Sequence, residues 1–118
     1  MSENIVEKSQ QDLCFLYGAN YLPVKPLEKI GISKSVRAGR SRINGLRHPP
    51  VGDTSGWYVW AGEEPSSESD FFQPLHIAHL SECCPQIIKF LGLAPGWRFL
   101  IEDDYEDVWY DEKLLLAE

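Results

Sequence analysis

The chain has 118 residues, 43% of them hydrophobic and 12% aromatic, with 18 Asp/Glu against 11 Lys/Arg for a formal net charge of −7. That size suits one domain able to bury a core without metal or disulfide staples, and the composition excludes disorder as the organising state. No apolar run approaches the roughly 18 residues of a membrane span, and "MSENIVEKSQQ" lacks the basic-then-apolar order of an export signal, so cytoplasmic residence is the expectation.

Residues 1–25 read as an amino-terminal extension, whose "DLCFLYGANYL" has enough apolar character to dock on the body as a short helix or strand; residues 26–118 form the domain proper. After Pro26, "LEKIGISKSV" places Ile30, Ile32 and Val36 at even spacing with Lys29 and Ser33 opposite, a strand pattern. "RAGRSRINGLRHPPVGDTSG", rich in Gly, Ser, Pro and Arg, predicts a long exposed loop around a short strand from Arg42 to Leu46. "GWYVWAG" is aromatic and β-branched between glycines, a buried strand, and "EEPSSESD" is an acidic loop.

"FFQPLHIAHLSECC" starts extended and turns helical after Pro74. Pro85 suits the first turn of a second short helix, "PQIIKFLG", closed by Gly92. "APGW" is a turn, and "WRFLI" and "DVWY" are hairpin arms with Trp97, Phe99 and Ile101 on one face. Alternation along the second arm sends Val108 and Tyr110 one way and Trp109 the other. The expected fold is therefore α+β: one domain, a mostly antiparallel sheet with two short helices. Trp57, Trp60 and Trp97, in apolar runs, are expected in the core.

Charge is segregated along this layout. Residues 1–50 hold eight Lys/Arg and four Asp/Glu, net +4; residues 51–118 hold three and fourteen, net −11. Lys34, Arg37, Arg40, Arg42 and Arg47 follow one another with no acid between, and seven carboxylates crowd into residues 102–112 with no base. Such segregation implies either an internal match between the halves or two oppositely charged surfaces.

Four chemistries compete for these residues. His76, His79 and Cys83 share a helical face with Cys84 beside them, but a closed zinc site draws ligands from separate segments, and adjacent helical cysteines diverge by about 100°. The acidic run lacks the calcium-loop pattern of alternating Asp/Asn with a turn glycine. No metal or cofactor is expected. A thiol–imidazole pair of His79 with Cys83 or Cys84 is the enzyme alternative; it brings no orienting third group, and no nucleophile elbow, phosphate loop or dinucleotide fingerprint occurs, so no catalytic residue is assigned. Three cysteines without paired spacing, Cys14 among them, read as reduced thiols. The segment from Lys34 to Arg47 is the nucleic-acid alternative, with His48 the one ring nearby and an acidic remainder that repels a polyanion.

The acidic hairpin is the fourth. Rigid rings among charges are what interfaces favour, because rings supply contact area while charges steer approach. Solubility needs only scattered acids, whereas a cluster carries a repulsive cost.

"ISKSV" followed by a glycine, "DTSGWYVWAGEE", "PLHIAHL…CP…IIKFLGLAPGWRF" and "DYEDVWYDE" resemble bacterial immunity protein family thirty-three over about residues 30 to 113, most strongly from Ser55 to Glu63. That resemblance implies a non-catalytic binding protein that protects the producing cell from a polymorphic toxin by occluding it. Charge adds the kind of partner: a basic protein, such as a nuclease-type toxin whose cleft holds phosphates. Partner-binding residues are then Asp103, Asp104, Glu106, Asp107, Asp111 and Glu112 for the field, and Tyr105 and Tyr110 for contact, with no direct nucleic-acid or membrane binding.

Overall fold

The computed structural model describes residues 3–37, 42–62 and 71–116. Among these residues six strands form one sheet: β1 (Lys29–Ser33), β2 (Ile43–Arg47), β3 (Thr54–Ala61), β4 (Phe72–His76), β5 (Trp97–Glu102) and β6 (Tyr105–Tyr110). Their order is β4-β1-β3-β2-β5-β6. β1 and β3 run parallel and every other neighbouring pair is antiparallel. The helices are α1 (Glu3–Tyr17), α2 (Lys34–Arg37) and α3 (Leu80–Cys83), with 3-10 segments at Ile77–His79, Pro85–Phe90 and Glu112–Leu116. The architecture is the expected α+β domain, with more helical pieces than the two short helices read from sequence.

Alternation fixes which residues face the helical layer. Ile30 and Ile32 of β1 and Trp57, Val59 and Ala61 of β3 are buried in one core cluster with Ile87, Phe90, Leu91 and Leu93. Trp57 donates its indole N–H to the Leu91 carbonyl at 3.1 Å, and Phe90 stacks on Phe99 of β5 with ring centres 4.3 Å apart. The opposite face carries Tyr58, Trp60 and Phe72, whose rings meet edge to face. Trp57 and Trp60 are buried as expected and Trp97 is half-buried.

α1 lies on the 3-10 segment Pro85–Phe90. It starts at Glu3, so the polar residues before "DLCFLY" belong to its first turns. Leu13 and Cys14 enter the core, and Gln10, 5% exposed, donates its amide to the Ile88 carbonyl at 2.9 Å. Gly92 leaves room for this docking: a Cβ there meets the Tyr21 ring at 2.5 Å and Gln10 Cβ at 3.1 Å.

Three local expectations change. Val36 is buried within α2 instead of extending β1. Strand β4 continues through Pro74 to His76, and helical geometry begins at Ile77; Pro74 is tolerated because β4 is an edge strand. The short strand expected within the Arg-rich segment forms as β2, but it is central, between β3 and β5, and is not carried in an exposed loop. Its inward positions are Ile43, Gly45 and Arg47, all buried. The acidic loop 63–70 and residues 38–41 lie outside the described residues.

Gly45 shows how tightly β2 is seated. A Cβ on it runs into the Phe99 ring, which fills the space a side chain would need. Gly45→Ala is expected to cost about 1–3 kcal/mol through overpacking, read as a lower urea midpoint at unchanged slope.

Candidate partner-binding surface

The hairpin of β5 and β6 closes the sheet at one edge, with Glu102 opposite Tyr105 and a two-residue turn of Asp103 and Asp104. Asp103 takes a left-handed backbone at φ 52°, a conformation Asp tolerates better than most residues. Opposite Phe99, Val108 is 7% exposed and anchors β6 to the core. Alternation then turns Trp109 outward, 36% exposed, with the Arg98 guanidinium 5.4 Å from its ring centre. Tyr105 and Tyr110 are 55% and 48% exposed.

The carboxylates separate into two groups. Glu106 faces the helical layer opposite Ile101, where the Lys89 ammonium sits 2.7 Å away and the Tyr17 hydroxyl donates at 3.5 Å. Burial, and then the Glu106 charge, push the Tyr17 phenol up from its ordinary value. Asp111 pairs with Arg98 at 3.3 Å and accepts the Lys113 amide at 3.1 Å, opening the last 3-10 turn. Glu102 is 4.0 Å from Arg42. Asp103, Asp104 and Glu112 are exposed and Asp107 half-buried; none of the four is in an ion pair among the described residues. Asp107 accepts a long hydrogen bond, 3.5 Å, from the Tyr105 hydroxyl.

Asp103, Asp104, Tyr105 and Asp107 thus stand together at and just behind the tip. Tyr110, Asp111 and Glu112 lie at the far end of β6, roughly 17 Å along the strand from Tyr105. Trp109 is an exposed ring that residue types alone did not single out. Alternation put it opposite Val108, and only the pairing of Val108 with Phe99 decides which of the two points out.

The other sequence candidates do not converge. His76 and His79 are exposed with ring centres 6.2 Å apart, and no group of three or more His, Cys, Asp or Glu gathers into a metal site among the described residues. No described helix is long and apolar enough to cross a membrane. The basic run is broken up: Arg47 is 1% exposed, Arg42 faces Glu102, and Lys34 is exposed on α2. Arg40 lies outside the described residues. A separate cleft of about 470 Å³ opens between α1 and the segment from Tyr21 to Pro26, lined by Val6, Tyr21, Val24, Ile77 and Ile88 among others.

No curated protein and no solved structure matches the sequence. The family model of the Imm33-like domain does, over residues 9–111, from within α1 to the end of the acidic hairpin. With nearly the whole chain matched, the protein belongs to the Imm33-like domain family.

Proposed function

We propose that the protein is a non-catalytic immunity protein that neutralises a toxin by docking its acidic hairpin on a basic surface of that toxin. Membership of the Imm33-like family supports the general role. The observation that carries the finer reading is the tip itself: Asp103 and Asp104 are exposed and outside every ion pair among the described residues, beside the half-exposed Tyr105. Unscreened like charges at close range destabilise the free protein, and a cationic surface relieves them. Rings at both ends of β6 supply area on which a partner can settle once the field has drawn it in.

A nuclease-type toxin fits this chemistry. Its substrate cleft holds phosphates with basic side chains, so a row of carboxylates can occupy the cleft as a polyanion and exclude the substrate. No cofactor takes part. Glu106 and Asp111, whose charges Lys89 and Arg98 already meet, support the hairpin, while Asp103, Asp104 and Asp107 provide the field and Glu112 extends it.

Co-expression with a nuclease-type toxin domain taken from a neighbouring gene tests the reading. Expected are restored growth, a one-to-one complex, and an affinity that falls steeply as salt rises. Toxicity unaffected by the protein, or binding indifferent to salt, contradicts it.

A further inference from the structure

Cys83 ends α3, and Cys84 joins it to the 3-10 segment Pro85–Phe90. Neighbours on a continuous helix diverge by about 100°, yet here the two Sγ atoms stand 3.1 Å apart. Cys84 has left helical geometry, at φ −155° and ψ 72°, and the bend brings its sulfur to that of Cys83. A formed disulfide spans about 2.0 Å, so roughly 1 Å of closure separates the pair from a bond. Cys83 is half-buried while Cys84 is 1% exposed. An approachable thiol beside a shielded one is the arrangement of a reacting cysteine and its resolving partner.

We propose that Cys83 and Cys84 form a reversible oxidation site, closed by hydrogen peroxide into a disulfide between adjacent residues. The Cys83 thiolate attacks one peroxide oxygen and the O–O bond breaks. Cys83 becomes a sulfenic acid, and the departing hydroxide leaves as water with the proton the thiol gave up. The Cys84 sulfur then attacks the Cys83 sulfur, the S–O bond breaks, and hydroxide departs as water with the Cys84 proton. Two thiols and one peroxide give one disulfide and two waters; both sulfurs are oxidised and the peroxide is reduced. A ring closed through a single peptide is strained, so cellular thiols reopen it readily, which suits a switch and not a staple.

The site lies where the helical layer is joined. The Cys84 amide donates to the Leu80 carbonyl at 2.9 Å, and the Cys84 carbonyl accepts from the Ile87 amide at 3.3 Å. Ile87 and Phe90 beyond it are fully buried, with Phe90 stacked on Phe99 of the hairpin arm β5. Ring closure therefore acts on the junction that holds the layer beneath the acidic hairpin.

The test uses the intact, reduced protein under native conditions: hydrogen peroxide, then iodoacetamide, then trypsin. The tryptic fragment 48–89 contains Cys83 and Cys84 but not Cys14. It is expected about 2 Da light and unalkylated, with dithiothreitol returning both thiols. In Cys84→Ser, Cys83 is expected to stop at a sulfenic acid that dimedone captures. Two alkylated cysteines, a sulfinic acid on Cys83 beside an alkylated Cys84, a bond from either to Cys14, or closure seen only in urea overturns the proposal.

Discussion

Replacing Asp103, Asp104 and Asp107 by lysine is expected to slow association with a basic toxin about tenfold or more and to flatten its salt dependence, leaving the stability of the protein alone within about 1 kcal/mol. The three carboxylates lie outside the ion pairs of the described residues, so their reversal breaks none of those pairs. Lysine at Asp103 meets the left-handed backbone at φ 52°, and Asp103→Asn removes the charge while keeping a residue that accepts that conformation. Glu106 and Asp111 are left intact because removing either strands Lys89 or Arg98. Stopped-flow mixing at low and physiological salt separates the effects: a steering role moves the on-rate, a contact role the off-rate. An unchanged on-rate in a folded variant removes the tip from the account.

Arg47→Met is expected to cost about 3–5 kcal/mol of stability. The side chain is 1% exposed, and its guanidinium donates to four backbone carbonyls. Nε reaches Ser55 at 2.9 Å; Nη1 reaches Leu22 at 2.7 Å, Leu93 at 2.8 Å and Leu91 at 3.3 Å. It also lies 5.7 Å from the Trp57 ring centre. One planar fork thus ties β2 to β3, to the chain leaving α1 and to the end of the 3-10 segment. Methionine fills much of the volume but takes the guanidinium donor from the Ser55, Leu22 and Leu93 carbonyls, while Leu91 keeps the Trp57 indole; lysine lacks the planar fork that reaches several at once. Burial lowers the Arg47 pKa to about 10, so the charge persists at neutral pH. Because the unfolded chain holds that proton more tightly, this group leaves stability flat below about pH 10 and raises it above that. Urea melts give the loss directly, and one below about 1 kcal/mol for Arg47→Met contradicts the bracing role.

What could be read in advance follows the range of the forces involved. The alternation of Ile30 and Ile32, the Trp57–Val59–Ala61 stripe and the arms around Asp103 and Asp104 are local patterns, and the strands form where those patterns lie. Arg47 reads as solvated because it stands among Gly, Ser and Pro, while the acceptors that make its burial tolerable come from Leu22, Ser55, Leu91 and Leu93. Gln10 is a second case, its acceptor at Ile88 lying far along the chain. At the hairpin, the crowding of acids is visible in the sequence, but their division is not. It depends on where the fold brings Lys89, Tyr17 and Arg98. Among the described residues the basic segment supplies one ion pair to the acidic stretch, Arg42 to Glu102 at 4.0 Å, and none of the ion pairs there reaches the tip carboxylates.

The most direct measurement is amide hydrogen exchange on the protein alone and bound to its toxin. Slowed exchange concentrated in residues 102–112, strongest around the turn at Asp103 and Asp104, is the predicted result. Unchanged exchange there, with protection instead along the cleft between α1 and the segment from Tyr21 to Pro26, would contradict the account.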